Sequence, residues 1–451
     1  MTGAALSGKK YKAYPEYKES GVEWVGEIPS DWCMWKLAHA FNEIGSGTTP
    51  PTNNEKWFKG DVPWITTGEL REKIITDTKK KLSPSTLKAF PTLKKYPVGS
   101  IAIAMYGATI GRLGIFGVEA ATNQACCVMT TSTQLNNKYL FYWLWAFKED
   151  IIRLSSGGGQ PNINQEKVAS LRVSAPKSKE QQKIANFLDY ETAKIDTLIA
   201  KQEKLIELLK EKRQAVISHA VTKGLNPNAP MRDSGVEWLG EVPKHWVVAG
   251  FKKFIEKIVD YRGKTPNKTD SGVFLVTARN IKKGVVDYSL SNEFISEDDY
   301  SETMSRGKPN IGDVLFTTEA PLGEVANVDN TDIALAQRII KFSGKKDILD
   351  NYFFKYFMMS EAFQTSLSLY ASGSTVKGIK AERLVYLRKL IPPLAEQKEI
   401  THHIDIELKK FDLLVSKAEV GIELIKERKT ALISAAVTGK IDLRDWKSQG
   451  I

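Results

Sequence analysis

The chain repeats itself, and this repeat restricts the fold more than any other feature of its 451 residues. The segment SGVEWVGEIP, which begins at Ser20, returns 214 residues later as SGVEWLGEVP, which begins at Ser234. Each copy is followed by a tryptophan three residues further on, Trp32 and Trp246. Fixed-offset self-similarity indicates repeated structural units. We therefore predict two related halves that share one architecture, a pseudo-twofold internal repeat.

Further matches keep nearly the same offset along both halves. The segments at 206–222 and 422–438, IELLKEKRQAVISHAVT and IELIKERKTALISAAVT, align without a gap. The other matched positions, offset by 213 to 216, are Gln124 with Gln337, Tyr139 with Tyr352, Ser156-Gly157 with Ser372-Gly373, Ile163 with Ile379, Pro176 with Pro392, Glu180-Gln181 with Glu396-Gln397, and Asp189 with Asp405. Between these anchors the halves diverge, which indicates a common frame carrying an insert specific to each half.

Each half ends in apolar residues at alternating steps of four and three, a spacing typical of a coiled-coil helix. The predicted partner-facing positions are Ile184, Leu188, Ile195, Leu198, Leu205 and Leu209 in the first half and Ile400, Ile404, Phe411, Leu414, Ile425 and Leu432 in the second. One such helix alone would equally suit a dimer between chains. Because two matching helices occur in one chain, with a proline- and glycine-containing linker at 223–235 between them, we predict an antiparallel pair within the chain.

The globular parts contain short runs typical of strands, at 62–67, 100–107, 273–278 and 313–318. Helical stretches near 139–153 and 352–370 follow these runs, so each globular part is predicted to be α+β. The predicted boundaries are an N-terminal tail at 1–19, a globular domain at 20–175, a long helix at 176–222, a linker at 223–233, a second globular domain at 234–391, a second long helix at 392–438, and a C-terminal tail at 439–451.

A search for catalytic and metal-binding patterns finds none. The five histidines, at 39, 219, 245, 402 and 403, form no metal-binding spacing. The segment from Arg262 to Thr265 resembles the end of a P-loop, but Ile258 occupies the position of the required first glycine. The glycines at 157–159 suit a loop that approaches a backbone, of protein or DNA with equal weight. We predict no catalytic residue, no metal site and no cofactor bound by this chain.

Basic residues lie in the inserts that differ between the halves. The chain carries 64 Lys and Arg against 53 Asp and Glu, a net charge of +11, which favours polyanionic partners. The predicted DNA-binding residues are Lys79, Lys80, Lys81, Lys94 and Lys95 in the first half and Arg279, Lys282, Lys283, Arg306 and Lys308 in the second. A solvated face is the alternative. Their location favours DNA binding, since a protein that distinguishes DNA sequences needs variable side chains on a constant frame.

Cysteine and hydropathy patterns concern the compartment. Three cysteines, Cys33 and the adjacent Cys126 and Cys127, offer neither a disulfide framework nor paired zinc spacing. The sequence shows no signal-peptide core and no run of 18 apolar residues. We predict a cytoplasmic protein without a membrane partner.

With the repeat laid out, the chain resembles the specificity subunit of type I restriction-modification enzymes over nearly its full length. The resemblance rests on SGVEWLGEVPKHW and its earlier copy, the segments DVLFTT and SIAIAM, the Ser-Gly loops before Ile163 and Ile379, and the segment PPLAEQK at 392–398. The first copy of the last motif, PKSKEQQ at 176–182, lacks the second proline.

This resemblance implies two α+β target-recognition domains that each read one half of a bipartite, asymmetric site in double-stranded DNA, separated by two long antiparallel coiled-coil helices. It also implies two modification subunits, which use S-adenosylmethionine to methylate adenine N6, and two restriction subunits, which use ATP and Mg²⁺. The chain itself would not be an enzyme. Two alternatives stay open: a coiled-coil scaffold that reads no DNA, and a self-contained methyltransferase or nuclease.

Overall fold

A computed structural model describes residues 11–155, 162–263, 266–373 and 377–447. The chain divides into two compact units: unit 1 consists of residues 1–202 and 421–451, and unit 2 of residues 203–420. Each unit combines strands and helices, so the α+β prediction is confirmed. The predicted match at Ser156-Gly157, the glycines at 157–159 and the residues Lys264 and Thr265 lie outside the described part of the chain.

The elements of the first half alternate short strands with short helices before one long helix. They are β1 (Tyr17–Glu19), β2 (Glu27–Pro29), β3 (Cys33–Lys36), α1 (Leu37–Ala40), β4 (Ile44–Ser46), β5 (Val62–Ile65), β6 (Lys73–Ile75), β7 (Lys81–Leu82), α2 (Pro84–Ala89), β8 (Ile101–Ala104), β9 (Leu113–Phe116), β10 (Ala121–Thr122), β11 (Cys126–Met129), α3 (Asn137–Ala146), α4 (Lys148–Arg153), α5 (Gln165–Ser170), β12 (Arg172–Ala175) and α6 (Ser178–Lys223).

The second half follows the same plan. Its elements are β13 (Met231–Asp233), β14 (Glu241–Pro243), β15 (Val247–Gly250), β16 (Ile255–Asp260), β17 (Val273–Val276), β18 (Ile281–Lys282), β19 (Val285–Val286), β20 (Phe294–Ile295), α7 (Glu297–Thr303), β21 (Val314–Thr318), β22 (Leu322–Asn327), β23 (Ile333–Leu335), β24 (Ile339–Gly344), α8 (Asn351–Met359), α9 (Glu361–Tyr370), β25 (Arg388–Ile391) and α10 (Leu394–Val437). The four strand-like runs read from the sequence are found as β5, β8, β17 and β21.

The sheets of the two units correspond. Unit 1 contains a five-stranded sheet ordered β4-β11-β8-β9-β6 and a three-stranded sheet β10-β5-β7. Unit 2 contains a four-stranded sheet β16-β24-β21-β22 and a three-stranded sheet β20-β17-β23. In both units the strand that precedes the long helix pairs antiparallel with a strand near the start of the half, β12 with β3 and β25 with β15. This pairing brings the helix start back to the repeated tryptophan motif.

One sequence match is wrong by a residue. The helices α3 and α8 begin at equivalent N-caps, Asn136 and Asp350, whose side chains accept from the backbone N–H of Tyr139 and Phe353. Tyr139 therefore corresponds to Phe353, which is equally buried, and not to Tyr352, which is exposed. The identical residue type misled the alignment, because the buried position accepts either aromatic ring.

The long helices begin and end with matched signals. Prolines at 176 and 392–393 precede Ser178 and Leu394, as suits a helix N-terminus, where the missing N–H would be unpaired anyway. Gly224 and Gly439 follow the two C-termini with φ of +78° and +70°, the left-handed conformation that glycine adopts without a steric penalty.

Within each unit, the start of one long helix packs antiparallel to the end of the other. In unit 1 Asp196 of α6 accepts from Lys429 of α10 at 2.6 Å, while Lys183, earlier in α6, donates to the backbone of Arg444, beyond the end of α10. In unit 2 Arg213 pairs with Asp412 at 3.5 Å, a pair at equivalent positions with the helices exchanged. The antiparallel direction predicted from the duplication is thus present in each unit.

The packed face of the helices differs from the predicted one at three positions. Leu198, Leu205 and Leu414 are 50%, 44% and 48% exposed. The other predicted positions are buried or partly buried. The packed face includes Thr192, Ile199, Ile206 and Arg213 on α6 and Leu408, Val415, Ile422 and Lys429 on α10.

The difference has a simple cause. After Leu188 or Ile195, the next position of the apolar stripe can lie either three or four residues further on, because both steps fit a heptad. The leucines at 198 and 205 favour the step of three. The structure uses the step of four, which places Thr192 and Arg213 on the packed face. Polar residues at these positions disguise the packed face in the sequence.

Candidate DNA-binding surface and helix joints

The predicted lysines of unit 1 surround β7 and the loop after α2. Three of them form ion pairs with carboxylates: Lys81 with Asp77 at 3.0 Å, Lys95 with Glu119 at 2.5 Å, and Lys94 with Glu43. Lys80 lies over the ring of Phe58, with its Nζ 4.7 Å from the ring centroid. The backbone N–H of Lys79 donates to Glu69. Among the residues that the structure describes, Lys79 and Lys80 have exposed ammonium groups without an ion pair.

The predicted basic residues of unit 2 fall into two groups. Arg279, Lys282 and Lys283 are exposed at the β18–β19 hairpin. Arg306 instead reaches across to the end of β16, where its guanidinium donates to the backbone oxygens of Asp260, at 2.7 Å, and Arg262. Lys308 lies over the ring of Tyr300 at 5.2 Å. Arg306 therefore stabilises a loop in this structure, whereas the hairpin cations face solvent.

The matched isoleucines beyond the Ser-Gly loops pair with the protein itself. The N–H of Ile163 donates to the backbone oxygen of Met105 at 2.8 Å, and that of Ile379 donates to Thr318 at 3.0 Å. Each acceptor lies at the end of the central strand, β8 or β21. The residue beyond each loop thus pairs with the backbone at the end of the central strand.

The Glu-Gln motif, which both halves share, holds the start of each long helix in place. The buried amide of Gln181 donates to the backbone oxygens of Pro176, at 2.8 Å, and Gln134, at 2.9 Å, and its oxygen accepts from the N–H of Asn136 at 2.7 Å. Gln397 makes the same three bonds, to Pro392, Ile348 and Asp350, at 2.8 Å each. Each glutamine connects the helix start to the segment that begins α3 or α8.

The neighbouring glutamates hold the repeated tryptophans. Trp32 donates from Nε1 to Glu180 at 3.3 Å, and Trp246 donates to Glu396 at 3.0 Å. Glu180 also accepts from the hydroxyl of Tyr14, and Glu396 from Nε2 of His245 at 2.8 Å. Burial and the Glu180 carboxylate raise the pKa of Tyr14 above its ordinary value, so this hydroxyl stays a donor. We call each set, Trp32 with Glu180 and Gln181, or Trp246 with Glu396 and Gln397, a helix joint.

Buried charges in unit 2 escaped sequence reasoning. Lys341 of β24 and Asp313, just before β21, form a 2.6 Å ion pair with almost no solvent exposure. Lys389 of β25 is fully buried, donates to the backbone oxygen of Phe251, and lies near the rings of Phe251 and Phe354. Burial lowers its pKa to about 7. A lysine in a strand-like run gives no sequence signal of burial.

The described residues hold neither a candidate metal site nor a candidate membrane span. No cluster of three metal-ligating side chains occurs in 11–155, 162–263, 266–373 and 377–447. No helix within these ranges is long and apolar enough to cross a membrane.

The two α+β units repeat one frame, carry exposed cations in their divergent inserts, and each hold the start of a long helix through a helix joint. Comparison with known proteins gives the family. The profile of the type I restriction modification DNA specificity domain matches residues 29–208 and 243–419, so the chain belongs to the family of type I restriction-modification specificity subunits.

Individual relatives agree with this assignment. The MjaVIII specificity subunit of Methanocaldococcus jannaschii is 24% identical over 439 residues, covering 95% of this chain and 98% of the relative. The EcoKI specificity subunit of Escherichia coli K12 is 22% identical, covering 94% and 92%.

Solved structures share the fold at low sequence identity. A chain from a study of complex assembly and conformational transition in the type I R-M system matches with a TM-score of 0.69 and 13% identity, covering 92% of this chain and 99% of that one. The HsdS subunit of Thermoanaerobacter tengcongensis matches with a TM-score of 0.53 and 14% identity, covering 92% and 98%.

Proposed function

We propose that this chain is the non-catalytic, DNA-reading subunit of a cytoplasmic type I complex, and that its two globular domains, at 20–175 and 234–391, each read one half of a bipartite asymmetric site. The observation that carries this proposal is the duplication of one frame with divergent, cation-bearing inserts. Two readers with different inserts read two different half-sites, which gives an asymmetric site.

Catalysis in this proposal belongs to partner subunits. Two methyltransferase subunits, with S-adenosylmethionine, modify adenine N6 in the recognised DNA, and two restriction subunits use ATP and Mg²⁺ to cut unmodified DNA. We assign the contact with these subunits to the long helices, which expose several leucines. In unit 2 these leucines are Leu205, Leu208, Leu413 and Leu414.

We assign the DNA contacts to the ten basic insert residues and expect some of them to contribute more to binding than others. Lys79, Lys80, Arg279, Lys282 and Lys283 reach phosphate or bases without first breaking an ion pair. Lys81, Lys94 and Lys95 give up a carboxylate. Arg306 gives up the backbone oxygens of Asp260 and Arg262, and Lys308 leaves the ring of Tyr300. We therefore expect the first group to dominate binding.

A domain exchange tests the modular reading. Residues 30–150 are replaced by the same part of a relative, the subunit is assembled with its methyltransferase partners, and methylated adenines are mapped by sequencing. One half-site should change while the other stays constant. A change in both half-sites would contradict independent readers, and an absence of methylation with the parental subunit would contradict the DNA-reading role.

A further inference from the structure

The helix joints place all their hydrogen bonds at the point where a globular part meets the start of a long helix. In unit 2 Gln397 holds its own helix entry through Pro392 and the approach to α8 through Ile348 and Asp350. Trp246 attaches the motif at the start of the half through Glu396. Three separate segments of the globular part thus converge on two adjacent side chains of α10. Unit 1 builds the same convergence on α6 with Gln181 and Glu180.

The hydrogen bonds of the helix joints fix an orientation that the surrounding apolar contacts leave free. Both joints border apolar cores that contain Trp32 or Trp246. Apolar burial is non-directional and tolerates small rotations, whereas a hydrogen bond weakens steeply as its angle departs from linear. Gln181 and Gln397 are 1% and 0% exposed, so water cannot replace a bond that a rotation breaks. Rotating the helix start against the globular part would therefore break several buried bonds at once.

The length of the helix turns a small rotation into a large displacement. The helix α6 has 46 residues and α10 has 44. At 1.5 Å per residue a helix of this size is about 70 Å long, so a tilt of about 3° at one end displaces the other end by about 3.5 Å, roughly one base pair of DNA. Recognition of two half-sites at one fixed distance requires the helix direction to hold within a few degrees.

We propose that the helix joints are positioning elements for recognition: they fix the direction of each long helix against its own globular part and thereby set how exactly the spacing of the two half-sites is read. This inference rests on the proposed function, since it needs two half-sites. It assigns Gln181 and Gln397 no contact with DNA. Loosening a joint should change the tolerated spacing without changing the bases that are read.

The test uses the assembled complex of the full chain with its methyltransferase partners. The substrate is a DNA library that carries both half-sites separated by spacers of every length around the parental one, and methylated adenines are read by sequencing. The variant Gln397→Met keeps the side-chain length and removes all three bonds. It should methylate sites whose spacer is about one base pair shorter or longer, with unchanged half-sites.

A matched control separates positioning from loss of stability. Leu275→Ala removes buried side-chain volume in a different core cluster of unit 2, away from the joint. At a temperature where both variants are equally folded, as measured by circular dichroism, Leu275→Ala should keep the parental spacer. Trp246→Phe removes the bond to Glu396 together with part of a buried ring, but it leaves the three bonds of Gln397 in place. It is the second variant and should broaden the spacer range less than Gln397→Met.

The outcomes are distinct. If the parental subunit methylates no bipartite site of constant spacing, the proposed function and this inference fail together. If the parent reads a constant spacing and a folded Gln397→Met or Trp246→Phe complex reads the same one, only the positioning role fails. Broadening by Leu275→Ala as well, or failure of both joint variants to fold, would make the joints elements of stability alone and would equally overturn it.

Discussion

The two units fill equivalent buried positions with chemically different residues. In unit 2 Asp313 and Lys341 form a buried ion pair beside the central strand β21. The sheet registers place Ser100 and Val128 at the same positions beside β8 in unit 1. Ser100 is satisfied by its own turn, because its hydroxyl donates to the oxygen of Pro97 at 2.7 Å. One frame therefore accepts either a complete ion pair or a neutral pair.

In a second contrast the polar pair lies in unit 1 and the apolar pair lies in unit 2. In unit 1 the indole of Trp143 donates to the hydroxyl of Ser174 at 3.0 Å, both buried. The equivalent pair in unit 2 is apolar, Phe357 and Leu390. In both contrasts donor and acceptor change together, because a buried polar group left without its partner costs more than the bond gains. The lesson is that side chains that bond to each other diverge together inside this frame.

The largest expected effect tests the ion pair. Lys341→Met leaves Asp313 charged and buried, which should lower the free energy of unfolding by about 3–5 kcal/mol. The double variant Asp313→Ser with Lys341→Val copies unit 1 and should lose much less. Urea unfolding monitored by circular dichroism measures both. A double variant as unstable as the single one would contradict this joint divergence of bonded side chains.

Next in size is the pH dependence that Lys389 gives to unit 2, where unit 1 has Val173. The folded pKa of Lys389 is lowered to about 7 by burial, from an ordinary 10.5. Between these values the unfolded chain binds a proton that the folded chain lacks, so this group makes stability rise with pH, by about 1.4 kcal/mol per pH unit at most.

The measurement is the unfolding free energy from pH 7 to pH 9. Lys389→Val should reduce its slope and raise stability most near pH 7. Lys346→Met, at an exposed lysine of the same unit, is the control and should leave the slope unchanged. An unaltered slope in Lys389→Val would show that the buried amine keeps its proton.

The sequence predicts the frame better than its interior. Prolines and helical periodicity are local signals, and the two long helices begin at Ser178 and Leu394, next to the repeated prolines. The Glu-Gln motif was found for the same reason. The role of this motif could not be predicted, since the partners of Gln181 lie at Gln134 and Asn136, more than forty residues away in the chain.

Other features depend on contacts that have no local signature. Ile206 and Ile422 are buried while the equally apolar Leu205 and Leu414 are exposed, because two heptad faces look alike in the sequence. The ion pair of Asp313 and Lys341 forms only after β21 and β24 align. The prediction of DNA-binding residues rests on location and charge alone. Ion pairs with Glu43 and Glu119 distinguish Lys94 and Lys95 from Lys80 only in three dimensions.

A smaller effect is expected at the polar contact of unit 1. Ser174→Ala removes the acceptor of the buried Trp143 indole and should cost about 1–3 kcal/mol of unfolding free energy. In a Trp143→Phe background, where the donor is already gone, the same change should cost less. A double-mutant cycle in urea gives the difference. Equal costs in both backgrounds would mean that the bond contributes nothing and that Phe357 with Leu390 is merely a size-compatible replacement.

The smallest effects concern one cation in each unit, Lys80 and Arg279. If Lys80 contacts phosphate, Lys80→Ala should weaken binding of the assembled complex evenly across sequences and reduce the salt slope by about 1. Arg279→Ala should instead relax discrimination at one position of one half-site by about 1–3 kcal/mol, as for a base contact.

Lys95→Ala is the matched control, because its ammonium is already paired with Glu119 and should matter less than Lys80. Binding is measured against salt with specific and scrambled duplexes. If Arg279→Ala weakened all sequences evenly and Lys80→Ala changed one half-site, the two units would divide positioning and reading in the opposite way, since phosphate contacts carry no sequence information.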